Sequence, residues 1–145
     1  MEYVLRGKAW KFGDYIFGDY GILPFEKIRD FRSMDSEALA KVCMIGVNPE
    51  CSKNVKKGDF IVAGKYFGGS WGHEHCAYAI KGTGVGAVIA DSISTYLYRF
   101  LIDLVGLPVL IGKDVSRKIG QDDELEVNFK SGQIKNLTSG EAIRV

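Results

Sequence analysis

Asp59-Phe60-Ile61-Val62-Ala63-Gly64-Lys65-Tyr66-Phe67-Gly68-Gly69-Ser70-Trp71-Gly72-His73-Glu74-His75 decides how this chain folds. Asp59 to Ala63 reads as a short buried strand, and the glycine run that follows leads into a helix over Glu74–Lys81, closed by Gly82. Glycine lets a backbone approach a ligand closely and adopt positive φ. A helix start offers free N–H groups and partial positive charge, which suits a carboxylate or phosphate. The run is therefore an anion cradle or a tight turn between strand and helix, and local physics alone allows both.

Downstream, Gly86-Ala87-Val88-Ile89-Ala90 lacks alternation and reads as a second strand buried on both faces. Ser94 to Val105 has helical spacing, with Leu97, Leu101 and Leu104 on one side and Gly106 as the stop. Pro108 to Ile111 is a third buried strand. Strand–helix–strand–helix–strand is the pattern of a parallel α/β core with right-handed crossovers. Such folds place ligands at the C-terminal ends of their strands, where the glycine run sits and where Ala90-Asp91-Ser92 begins a second loop.

Upstream, Tyr3 to Phe12 partly alternates and reads as a strand ended by Gly13-Asp14. Gly18-Asp19-Tyr20-Gly21 signals a turn or loop, and Lys27 to Ser33 an exposed loop. Asp35 or Ser33 caps a helix running from Ser36 to Met44, and Asn48-Pro49 marks a break. Near the C-terminus, Glu124–Phe129 and Gln133–Leu137 alternate around Lys130-Ser131-Gly132, a β-hairpin, and Ala142–Val145 adds a short strand. With no linker or repeat, residues 1–145 are expected to form one domain.

Composition excludes several classes. The 19 basic and 18 acidic residues nearly cancel and are interspersed, so neither nucleic acid nor an anionic membrane is an expected partner. The densest basic run, Lys53 to Lys57, reads as a solvated loop. No apolar stretch has bilayer length, and Arg6, Lys8 and Lys11 interrupt any signal-peptide pattern, so a cytoplasmic protein is expected. Cys43, Cys51 and Cys76 lack zinc or iron–sulfur spacing, and no metal is assigned to this chain. Cys43 and Cys76 read as buried structural residues.

Taken in order, several segments resemble the small subunit of 3-isopropylmalate dehydratase, the swivelling domain of the aconitase superfamily. Gly7 to Asp14 is similar to that family's opening strand, and Asp19 falls on the acid of its Gly-Asp-Asn-Ile-x-Thr-Asp motif. Ile22-Leu23-Pro24 resembles its Ile-Ile-Pro, and Ile61 to Lys65 the strand before its active-site loop. Phe67-Gly68 and Glu74-His75 resemble the two ends of Phe-Gly-Cys-Gly-Ser-Ser-Arg-Glu-His. Ala87 to Ala90 with Ser92, Tyr98-Arg99 and Gly106-Leu107-Pro108 continue the pattern. The resemblance implies an α/β swivelling β/β/α domain with a parallel-sheet core, flanking helices and a C-terminal hairpin.

It also implies a partner and a chemistry. The family's large subunit carries a [4Fe–4S] cluster, and the small subunit closes over it to remove and re-add water on a hydroxy-di- or tricarboxylate, as in leucine biosynthesis. No cofactor is assigned to the small subunit itself, which when isolated could form a homo-oligomer. In the family a serine of the Ser-Ser-Arg loop is the general base and the arginine grips a carboxylate.

Aligned without gaps, Gly72 falls at that serine, His73 at that arginine, and Trp71 at a small position. Tyr15, Phe17 and Gly18 replace the usual Asn, Asp and Thr of the earlier motif. Three readings follow. The first is a hydro-lyase subunit with an altered loop, in which His73 acts as base or carboxylate clamp and Ser70 serves if the loop is re-registered. The second is a regulatory or structural paralogue that docks on a large subunit. The third is a stand-alone module binding a small carboxylate at Gly68–His73.

The expected catalytic residues are Ser70 and His73, and the expected substrate-binding residues Gly68, Gly69, Trp71, Gly72, Asp19, Arg29 and Arg32. Arg29 and Arg32 lie where the family reads the substrate's variable group, and would favour an additional carboxylate over isopropyl. Each also has a plainer role: His73 a backbone-bonded loop histidine, Asp19 a turn cap, Arg29 and Arg32 a solvated loop. For Arg99 a structural ion pair is expected, and for His75 a hydrogen bond to the loop.

Overall fold

The computed structural model describes residues 3–27, 35–69 and 74–145. Among these residues seven strands form one mixed sheet in the order β4-β3-β2-β1-β5-β6-β7. They are β1 (Val4–Lys11), β2 (Phe60–Ala63), β3 (Ala87–Ala90), β4 (Val109–Ile111), β5 (Glu124–Asn128), β6 (Gln133–Asn136) and β7 (Ala142–Arg144). Among the described residues four α-helices lie between them: α1 (Ser36–Ala40), α2 (Pro49–Asn54), α3 (His75–Gly82) and α4 (Thr95–Arg99).

β1 joins two halves. Its last residues, Ala9 to Lys11, run parallel to Phe60–Val62, while Val4 to Lys8 pair antiparallel with β5. β2, β3 and β4 continue the parallel half, and β5, β6 and β7 the antiparallel one. The expected parallel core of three strands thus has four, because β1 enters it, and the expected C-terminal hairpin and final strand are both present.

Side-chain alternation explains why β2 and β3 are apolar throughout. Ile61, Ala63, Val88 and Ala90 join Leu39, Cys76, Ile80, Leu97 and Leu101 in a core on the helical face. Phe60, Val62, Ala87 and Ile89 point the other way, into a second core with Leu125, Val127, Ile134 and Ile143. The sheet therefore curls so that its antiparallel half covers the back of its parallel half, leaving β2 and β3 dry on both sides.

Three helical expectations change. The helix at Ser36 stops at Ala40 rather than Met44, passing into tight turns that run on to Val47, with Met44 at φ 61°. Asp35 is its cap, accepting the Glu37 N–H at 3.1 Å, while the alternative Ser33 lies outside the described residues. The Asn48-Pro49 break instead begins α2, with Asn48 as N-cap and Pro49 in its first turn. α2 includes Lys53, so the basic run is exposed but is not wholly a loop.

The Ser94 helix is α-helical only to Arg99 and widens into a π-turn over Phe100–Leu104. That widening rotates Leu104 out of line with buried Leu97 and Leu101, and Leu104 is exposed. Its place is taken by Leu107, buried where its N–H donates to Leu101 O at 2.7 Å. Among the described residues no helix is long and apolar enough to cross a membrane.

Candidate functional site

Three loops meet at the C-terminal edge of the parallel strands. Gly13 to Gly18 follows β1, Gly64 to Gly69 follows β2, and Asp91 to Ser94 follows β3. The middle loop is stitched to both neighbours. Gly64 N–H donates to Gly13 O (3.1 Å), Phe67 N–H to Ser92 O (3.0 Å) and Gly68 N–H to Ile16 O (2.7 Å). Two further amides are taken by side chains: Lys65 N–H donates to Asp14 Oδ1 at 2.8 Å and Tyr66 N–H to Ser92 Oγ at 2.7 Å. Gly69 N–H turns back to Tyr66 O at 3.3 Å.

Every amide from Gly64 to Gly69 therefore has an internal partner. Gly68 and Gly69, expected as substrate-binding residues, supply shape rather than an open cradle of donors. Gly68 sits at φ +75°, and a β-carbon there would lie 2.8 Å from Leu97 Cβ. A β-carbon on Gly69 would strike the Tyr66 ring. Tyr66 itself is left-handed at φ 52°, as is Tyr15 at φ 56°, a conformation that bulky residues rarely hold.

Ser70, Trp71, Gly72 and His73 lie outside the described residues, as do Arg29 and Arg32. The backbone of Asp19 lies in a π-type turn over Gly18–Ile22, where a turn or loop was expected, and its side chain is not among the described ones. This turn abuts the glycine loop, since Gly18 N–H donates to Gly69 O at 3.3 Å. Cys76, in the first turn of α3, is buried with Sγ 3.5 Å from Gly18 O. His75 is buried beside it. Arg99 is exposed and forms no ion pair among the described residues, contrary to the expected one, because α4 turns that position outward.

The cysteines are part of the core. All three are free and buried in the helical-face core. Burial pushes the Cys43 thiol well above its ordinary range, and burial together with the Asp59 charge pushes Cys51 up to about 12. Among the described residues no group of three His, Cys, Asp or Glu could hold a metal.

Asp14 and Ser92 were not singled out as site residues by their sequence. The available signal was positional: each lies just past the end of a parallel strand. Behind them, Asp91 accepts Ser116 N–H at 2.8 Å and Ser116 Oγ–H at 2.9 Å. Lys11, drawn below its ordinary pKa by burial, donates to the carbonyls of Ser116 and Ile119. A groove of about 480 Å³ lies at the opposite edge, between Lys57, Lys81, Val85 and Pro108. It gathers strand starts rather than strand ends, and apart from Lys57 and Lys81 its lining is glycine, proline and aliphatic residues, so the loop edge is the stronger candidate.

The chain is similar over nearly its full length to known proteins. The isopropylmalate/citramalate isomerase small subunit of Methanocaldococcus jannaschii is 42% identical over 144 residues, spanning 99% of this chain and 83% of the relative. The chain belongs to the 3-isopropylmalate dehydratase small-subunit family. The homoaconitase small subunit of Methanothermobacter thermautotrophicus is 42% identical over 145 residues, covering 100% of this chain and 81% of its own. The crystal structure of 3-isopropylmalate dehydratase from M. jannaschii superposes with a TM-score of 0.87 at 33% identity, covering 97% of this chain and 80% of that one. No protein-family model matches the chain. Within this family, the fold reached from the strand pattern is the shared fold, a mixed sheet with a parallel core and flanking helices.

Proposed function

We propose that this chain is the small subunit of a hydro-lyase of the 3-isopropylmalate dehydratase and homoaconitase type. It forms one swivel domain that closes over the active site of a large subunit. The reaction removes and re-adds water on a hydroxy-di- or tricarboxylate. One observation carries the reading: the glycine loop is built into the C-terminal edge of the parallel sheet, in a chain similar over nearly its full length to such subunits. The cluster that binds the substrate's hydroxyl belongs, on this reading, to the large subunit, and this chain's own cysteines stay buried in its core.

What this chain supplies is position, charge and a base. Dehydration needs a proton taken from a carbon next to a carboxylate while hydroxide leaves the neighbouring carbon. With Gly72 and His73 at the positions of the family's serine and arginine, the imidazole of His73 is the group able to accept that proton near neutral pH, or to hold the carboxylate. Ser70 is the alternative base. Trp71 and the glycines at 68, 69 and 72 shape the pocket, Asp19 orients the loop, and Arg29 and Arg32 pair with a further carboxylate.

The test is co-expression with a cluster-bearing large subunit, followed by assay against a panel of unsaturated di- and tricarboxylic acids. The two chains are expected to co-elute and to hydrate at least one acid. His73→Ala should slow turnover by about a hundredfold without releasing the partner. A stable complex with no turnover on any acid would overturn the catalytic reading and leave the docking role. Failure of the chains to associate would favour a stand-alone carboxylate binder.

A further inference from the structure

Four of the six amides from Gly64 to Gly69 are satisfied by backbone carbonyls, and two consecutive ones are not. The exceptions, Lys65 and Tyr66, fall where the chain swings into the left-handed region at Tyr66 (φ 52°). A strand-like neighbour cannot follow such a turn, so side chains must reach in to take its amides. They come from opposite sides: Asp14 from the loop after β1, Ser92 from the loop after β3.

The chain around each is tied down as well, on the Asp14 side by Tyr15 N–H donating to Lys65 O at 2.7 Å. Ser92 follows Asp91, whose two carboxylate oxygens are fixed by Ser116. Ser92 O also accepts from Phe67, and Ser94 N–H donates back to Phe67 O at 2.9 Å. Asp14 lies so close to Gly64 that a β-carbon there would overlap its carboxylate. Beyond the turn, the Tyr66 ring lies over Gly69, the last described residue of the loop. A shift at Tyr66 therefore moves Gly68 and Gly69 directly.

We propose that Asp14 and Ser92 are positioning residues of the hydro-lyase site, clamping the left-handed turn at Tyr66 from both sides and setting the course of the chain through Gly68 and Gly69. The proposal rests on the function given above. Neither residue touches substrate on this account. Their effect is on turnover, because small displacements of a reacting group are costly in rate while binding by other groups persists.

Two readouts test it. In the chain alone, amide hydrogen exchange by NMR reports the clamp irrespective of activity. Ser92→Ala should speed exchange at Tyr66, and Asp14→Ala at Lys65, each by about tenfold. Ser92→Thr and Asp14→Asn keep an acceptor oxygen and should restore protection. In the complex with the large subunit, both alanine variants should lose about tenfold or more in kcat with KM within about twofold, and the acceptor-keeping variants should recover most of it. Unchanged exchange in the alanine variants would overturn the clamp. Faster exchange with unchanged kcat would overturn its part in catalysis. An inactive wild-type complex would instead sink the hydro-lyase reading, and exchange alone would then decide whether the clamp exists.

Discussion

Two aspartates sit at opposite ends of the β1–β2 pair and do the same local job under different conditions. Asp59, at the start of β2, accepts the Lys8 N–H (3.2 Å), the Lys56 N–H (2.9 Å) and the Trp10 Nε1–H (3.1 Å). It is only 6% exposed. Asp14, past the end of β1, accepts the single N–H of Lys65, and it is exposed. A buried acceptor leaves stranded donors when it is removed, whereas water replaces an exposed one. The same device is therefore a stability element at one edge of the sheet and a geometric one at the other. The strand starts fix the fold and the strand ends aim the loops.

The largest way to break this contrast is at the buried end. Asp59→Ala should cost about 3 kcal/mol, since two amides and an indole N–H lose their partner together. A fall in Tm of about 10 °C in thermal denaturation is the expected outcome. Gly68→Ala comes next, at about 2 kcal/mol, because it places a β-carbon at φ +75° against Leu97. Unlike Asp59→Ala, it should also depress turnover in the complex, since it bends the site loop itself.

A smaller effect concerns pH. Asp123 is held below the usual carboxylate range by the Asn136 side chain and the Gly120 N–H. A depressed folded-state pKa adds stability above the unfolded value of about 4, and this is lost as pH falls through the folded value. Denaturation midpoints of the wild type should decline with acid below about pH 4 more steeply than those of Asp123→Asn.

The fold was largely legible because its deciding signals are local. Phe60–Ala63 and Ala87–Ala90 are apolar on both faces, and a strand covered on both faces has no alternation to show. What could not be read was where β1 divides its partners, since Val4 to Lys8 and Ala9 to Lys11 differ in neighbours and not in pattern. The π-turn that expels Leu104 was hidden because Leu97, Leu101 and Leu104 keep a helical spacing that only a uniform α-helix would honour. At the site, the glycine loop stands out by composition, but composition alone leaves open whether its amides are free or already bonded. Their use by Asp14, Ser92 and Ile16 depends on contacts up to 52 residues apart, between Gly68 and Ile16 for example, and no local window contains both ends.

The most direct measurement removes each carboxylate in turn and records both the Tm of the chain and the kcat of its complex with the large subunit. Asp59→Ala should lower Tm by about 10 °C and leave kcat within about twofold, measured well below the new midpoint. Asp14→Ala should leave Tm within about 2 °C and lower kcat about tenfold or more. The same pattern from both substitutions, whether loss of stability or loss of turnover, would contradict the division between the two edges of the sheet.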